Sequence, residues 1–188
     1  LRSDMLTGAI QYWDAQVDDA RHTLMVARSA ASLGANILTG ARVVGLNRSP
    51  TGAVSGAQLE VSTGRGVTVL DVASRVVINA TGAWSGQTEQ LAGRTSLSVA
   101  TSKGVHLVVP AERITGTVAL ITKTSMSVLF VIPFGHNWLI GTTDTPYAGD
   151  PAAVAITAGE IEYLVMAANR FLRRPIAQSD VKWSYSGV

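Results

Sequence analysis

Two hydrophobic rhythms divide this chain. From Ala20 to Leu33, Leu24, Ala27, Ala31 and Ala35 recur at helical spacing in an alanine-rich run. This predicts a helix whose N-terminus carries Asp18 and Asp19, where carboxylates cap free amides, and which Gly34 closes. Gly8 to Asp14 alternates weakly and reads as a short strand or extended segment. Asn36 to Leu46 reads as a strand containing Val43 and Val44. Pro50 and Gly52 punctuate a turn-rich break. Ala57 to Val61 and Val67 to Val72 then read as a hairpin around Gly64-Arg65-Gly66. Val76 to Ala80 is a further apolar strand, running into Thr81-Gly82.

The second half changes character. Short β runs at Val105–Val109, Val118–Thr122, Val128–Pro133 and Trp138–Gly141 follow one another with tight links, including the turn Gly135-His136-Asn137. Such spacing predicts an antiparallel sheet. Ala158 to Leu172 reads as a second helix, with Ile161, Leu164, Val165, Ala168 and Leu172 on one face and Arg170, Arg173 and Arg174 clustered at its end. The fold class is therefore mixed α/β (α+β), in two parts, residues 1–95 and 96–188.

Composition narrows the choices. The 188 residues include 47% apolar and only 15% charged side chains, with a formal charge of +2. So few charges suggest that some surface is covered by a further part of the same protein, a subunit or a membrane. With no dense basic run, nucleic acid is not an expected partner. The chain has no cysteine, which excludes disulfides and thiolate zinc sites and fits a cytoplasmic setting. No apolar run approaches the roughly 20 residues that span a bilayer. The start at Leu1 lacks both Met and a signal-peptide pattern, and the end at Val188 falls within a strand-like stretch. The expectation is a segment of a longer protein.

Three constellations carry possible chemistry. Asn79-Ala80-Thr81-Gly82-Ala83-Trp84 follows the apolar run Val76-Val77-Ile78. It is either an ordinary strand-to-turn junction or a place where main chain meets a flat cofactor, because Gly82 has no Cβ. Lys103-Gly104-Val105-His106 offers a fixed cation and a proton acceptor at a strand entrance. The alternative is a solvated Lys and a half-buried His. Gly141-Thr142-Thr143-Asp144-Thr145 is either a self-bonded turn or the polar lip of a pocket. Neither His22 nor His136 has partners at metal-ligand spacing, so no metal is expected. Gly64-Arg65-Gly66 precedes no helix and is not a phosphate loop.

Taken in order, these stretches resemble one family. They are Gly8-Ala9-Ile10-Gln11-Tyr12-Trp13-Asp14 with Val17-Asp18-Asp19-Ala20-Arg21, Asn79 to Trp84, and Lys103-Gly104-Val105-His106-Leu107-Val108-Val109-Pro110. Phe130-Val131-Ile132-Pro133-Phe134, Leu139 to Thr145, Glu160 to Leu164 and Trp183-Ser184-Tyr185-Ser186-Gly187-Val188 complete the series. The set is similar to the FAD-dependent, quinone-linked glycerol-3-phosphate dehydrogenases along almost the whole chain. Departures are Ala83 where the family usually has Pro and Val105 where it has Ser. The family's G-x-G-x-x-G strand-loop unit, its ribose-binding acid, the Arg-Pro pair that follows Val188 and its C-terminal helical domain lie outside these residues.

The resemblance implies part of a Rossmann-like FAD-binding domain (residues 1–95) and an antiparallel-sheet substrate domain (96–188). It implies oxidation of sn-glycerol 3-phosphate to dihydroxyacetone phosphate, hydride passing to FAD and electrons to a quinone or other acceptor. His106 would take or orient the hydroxyl proton and Lys103 would add positive charge near the substrate. Ala80, Thr81 and Gly82, with Trp84, would contact FAD, and Val43, at its strand end, would meet the adenine. Thr142, Thr143 and Asp144 would shape the substrate pocket. The parent protein would be a cytoplasmic enzyme attached peripherally to a membrane, while these residues alone would be inactive and would not retain FAD. The alternatives are a related flavin-dependent amine or hydroxy-acid oxidase, or an excised structural piece without activity.

Overall fold

Asp18 begins the first helix: its carboxylate accepts the Arg21 amide at 3.1 Å, which satisfies one of the free donors at the helix start. The structure is a computed structural model, and it describes residues 1–188 apart from Ser3, Met5 and Met126. The described residues form two compact units, Ile10–Ser98 and Leu1–Ala9 together with Val99–Val188.

In the first unit, α1 spans Asp19–Ser32, and Gly34 follows with φ +95°, a left-handed turn that suits glycine. The helix buries no residue, and Leu24, Met25 and Val26 are each more than half exposed. Three strands follow as an antiparallel sheet in chain order: β1 (Ala41–Arg48), β2 (Val54–Thr63) and β3 (Gly66–Ala73). The predicted hairpin turns at Gly64-Arg65, with Thr63 paired to Gly66. β1 begins at Ala41 rather than Asn36, because Gly40, at φ +65°, turns the chain just before it. After β3 a short 3-10 turn, Gly82–Trp84, leads into α2 (Ser85–Leu91). Arg48 ties this region together, donating to the carbonyls of Gly52 and Ala92.

The strand expected at Val76–Ala80 is absent, and Gly8–Asp14 takes the extended rather than the strand alternative. Residues 8–14 and 76–80 have extended or irregular backbone without ladder partners among the described residues. Apolar character makes a strand attractive, but a strand exists only when a neighbour takes its amides and carbonyls. Accordingly Trp13 is 98% and Ile78 83% exposed.

In the second unit, β4 (Thr101–Pro110) is the spine. β5 (Leu120–Lys123), β6 (Val128–Phe134) and β7 (Asn137–Gly141) form a meander whose last strand pairs with β4. β8 (Thr145–Tyr147) continues along β4, α3 (Ala158–Asn169) crosses one face, and β9 (Trp183–Gly187) pairs with β4. Gly135, at φ +59°, makes the turn between β6 and β7. Strict alternation decides which way β4 faces: Lys103, Val105, Leu107 and Val109 are buried, while the intervening residues stay partly open. The buried set meets Leu129, Val131, Trp138 and Ile140 from the sheet and Leu164, Val165 and Ala168 from α3. The helix stops at Asn169 rather than Leu172, yet Leu172 still packs into this core. No helix among the described residues is long and apolar enough to cross a membrane.

Candidate functional site

The face of the second sheet that α3 leaves uncovered carries His106. Its neighbours across the ladders are Gly141 of β7 and Tyr185 of β9. Residues directly opposite on adjacent strands share a face, so both lie beside the imidazole. The Tyr185 ring stacks on it with centroids 5.0 Å apart and planes inclined by 7°. On the other side Gly141 supplies space: a Cβ there would lie 2.3 Å from His106 Cδ2 and 2.8 Å from Nε2. Burial pushes the imidazole below its ordinary pKa, so it is neutral at neutral pH and able to accept a proton. In the sequence Gly141 stands out only as the start of the Gly141–Thr145 turn and Tyr185 only within Trp183–Val188, and no local pattern places either beside His106.

Lys103 does not join His106, which corrects the expectation that the two work together. Three residues apart on one strand, they point to opposite faces. The Lys103 ammonium lies 2.6 Å from Glu160 Oε1 and donates to the Ala155 carbonyl at 3.1 Å. Glu160 is the third residue of α3, and its Oε2 also accepts from the Thr157 amide and hydroxyl, each at 2.8 Å. The pair therefore fixes the start of α3 against the inner face of β4. Burial alone would push the Glu160 carboxyl up. The hydrogen bonds from Lys103 and Thr157 outweigh that, and its pKa falls below the usual carboxylate value.

The Gly141–Asp144 segment is a β-bulge. Thr142, Thr143 and Asp144 oppose only Gly104 and Val105, between the pairs Gly141–His106 and Thr145–Lys103. The Gly141–Thr142 peptide bond is cis. Thr143 is 3% exposed and replaces the lost ladder contacts with its side chain. Its hydroxyl accepts the Val105 amide at 3.0 Å and donates to the Lys103 carbonyl at 3.2 Å. Thr143 is thus turned into the sheet. Thr142 lies over Gly104, where a Cβ would meet its Oγ1 at 2.6 Å, on the side of His106. Asp144 accepts from the Ser102 hydroxyl at the end of that same face. Among the described residues no group of His, Asp and Glu is placed to hold a metal ion.

In the first unit, the Asn79–Trp84 segment is a shaped ledge rather than a strand end. Asn79 organises it: its amide donates to the Ser85 carbonyl at 2.9 Å, and its carbonyl oxygen accepts the Thr81 hydroxyl at 2.7 Å. The Ser85 hydroxyl closes onto the Gly82 carbonyl at 2.7 Å. Ala80, Thr81 and Gly82 are exposed, Gly82 takes φ +54°, and the space where its Cβ would stand is open. Small side chains and open main chain suit a flat ligand lying against the backbone. Trp84, 41% exposed, ends the 3-10 turn. Val43 corrects another expectation: it lies inside β1, paired with Leu59 next to a register shift, and not at a strand end.

Comparison with known proteins settles the family. Residues 1–188 match the family described as FAD dependent oxidoreductase. The chain belongs to that family. Among its relatives, this FAD-dependent oxidoreductase chain is 42% identical to a Mycobacterium leprae protein named glycerol-3-phosphate dehydrogenase, over 100% of this chain and 32% of that one. It is 34% identical to a Brucella abortus D-erythritol 1-phosphate dehydrogenase, covering 98% of this chain and 37% of the relative. The solved glycerol-3-phosphate dehydrogenase of Bacillus halodurans, complexed with FAD, superposes with a TM-score of 0.81 at 31% identity. That match covers 92% of this chain and 35% of the other. The chain spans about a third of the length of the curated relatives it matches.

Proposed function

We propose that the protein oxidises the secondary hydroxyl of sn-glycerol 3-phosphate to the ketone, giving dihydroxyacetone phosphate, with FAD as its cofactor. The observation that carries this reading is His106, half-buried on the sheet face away from α3, stacked on Tyr185 and seated over Gly141, in a chain whose relatives bear that activity in their names.

FAD, when bound, supplies the two-electron acceptor. The residues fit such a group: Ala80, Thr81 and Gly82 offer exposed main chain with no side chain in the way, held in shape by Asn79. His106 accepts the hydroxyl proton at an imidazole nitrogen, and the loss of that proton helps the neighbouring carbon give up its hydride. Thr142 lines the same face. Thr143 and Lys103 act at a distance, the first by holding the bulge and the second by holding α3. Electrons pass on to a quinone at a membrane that the protein meets peripherally, in the cytoplasm.

The test is dye reduction by the FAD-loaded protein carrying these residues, with sn-glycerol 3-phosphate and D-erythritol 1-phosphate compared side by side. Saturable reduction with the first supports the reading. Bound FAD without reduction by either phosphate ester sinks it. Replacing the dye with a short-chain quinone or with oxygen, and measuring hydrogen peroxide, identifies the acceptor.

A further inference from the structure

The stacked pair of His106 and Tyr185 has a consequence for how the proton acceptor is aimed. A side chain on an open sheet face ordinarily samples several rotamers. His106 is confined on two sides. Gly141 leaves a recess into which the imidazole edge fits, since a Cβ there would stand 2.3 Å from Cδ2. Tyr185 covers one ring face at a centroid separation of 5.0 Å, nearly parallel. The pairing of His106 with Tyr185 comes from ladder register, Val105–Ser186 and Leu107–Ser184 flanking it, so the stack is built into the sheet.

We propose that Tyr185 is a positioning residue for His106: its ring holds the imidazole in one orientation over Gly141 and shields it from water, so that the acceptor nitrogen meets the substrate hydroxyl. This rests on the reading of His106 as proton acceptor. Tyr185 touches the reacting atoms only through His106.

The electrostatic surroundings are simple. β7 and β9, which flank β4 at His106, contain no Asp, Glu, Lys, Arg or further His, and Tyr185 is their one ionisable side chain. On β4 itself Lys103 points to the opposite face, into its pair with Glu160. From the bulge, Asp144 is engaged with Ser102 at the far end of the face. What Tyr185 offers His106 is the stacked ring, and Phe supplies the same ring.

The experiment compares Tyr185→Phe and Tyr185→Ala in the FAD-loaded protein. Tyr185 is 49% exposed, so truncation leaves the buried core intact. The first readout is NMR titration of the His106 ring, which needs no substrate. Tyr185→Ala raises the titration midpoint toward the ordinary histidine value and removes the ring-current shift, while Tyr185→Phe keeps both. The second readout is turnover: kcat falls by about tenfold or more in Tyr185→Ala, with KM nearly unchanged and Tyr185→Phe close to wild type. An unchanged His106 titration in Tyr185→Ala overturns the proposal, as does equal loss of turnover in both variants. A wild-type protein inert toward glycerol 3-phosphate overturns the functional reading instead, and the NMR comparison still decides the stack.

Discussion

Lys103 and His106 lie within four residues of each other, yet their replacement has opposite consequences. Consider Lys103→Met. The Lys103 side chain is 10% and the Glu160 side chain 13% exposed, and their charged ends meet at 2.6 Å. Removing the cation leaves Glu160 mostly buried, with only the Thr157 bonds to compensate it. Breaking one side of a buried ion pair costs about 3–5 kcal/mol. For a chain of this size, 1 kcal/mol corresponds to roughly 2–4 °C in Tm, so the variant loses about 10 °C. Lys103→Met combined with Glu160→Leu removes both charges and recovers most of the loss, because two apolar side chains of similar volume replace the pair. Thermal unfolding at neutral pH measures all three proteins. KM for glycerol 3-phosphate and the kcat of the surviving folded protein are read below the transition. The reasoning is refuted if Lys103→Met unfolds within about 1 kcal/mol of wild type, or if KM rises steeply with stability unchanged. Either result would put the ammonium at the substrate rather than at the start of α3. The pH dependence has a definite sign. The folded Glu160 pKa lies below its ordinary value, so the pair's contribution is present above that ordinary value and disappears as pH falls through the lower folded value.

Other outcomes are equally specific. Gly141→Ala drives a methyl into the His106 ring and displaces it, so turnover falls by about a hundredfold while the far-ultraviolet circular dichroism is retained; full activity would contradict the recess. The acid limb of log kcat/KM against pH has its midpoint below 6.5, because burial lowers the His106 pKa from that value; a midpoint at or above it removes His106 as the base. The same group makes the folded state less stable as pH falls through 6.5, since the unfolded chain binds the proton first. Thr143→Val strands the buried Val105 amide and costs about 1–3 kcal/mol in urea unfolding, whereas Thr143→Ser keeps the hydroxyl and loses far less.

Residues near in sequence and governed by local rules were legible before any coordinates. Asp18 caps α1 and Gly34 closes it, since both effects depend on a few neighbouring dihedrals. The Gly64-Arg65 hairpin and the alternating burial of Val105, Leu107 and Val109 follow from turn chemistry and a two-residue period. The ordered motifs also carried the family. What local pattern did not decide was partnership. Val76 to Ile78 has the composition of a buried strand, yet nothing among the described residues pairs with it. Lys103 and His106 look like one constellation on paper, but a pleated strand sends them to opposite faces, toward Glu160 and Tyr185 respectively. Those partners lie far along the chain and meet only because β9 joins β4 in one register and α3 crosses the inner face. The sequence by itself therefore determined the elements and the chemistry present. The tertiary structure decided which groups meet, because ladder register and helix packing are set by the whole unit rather than by neighbouring residues.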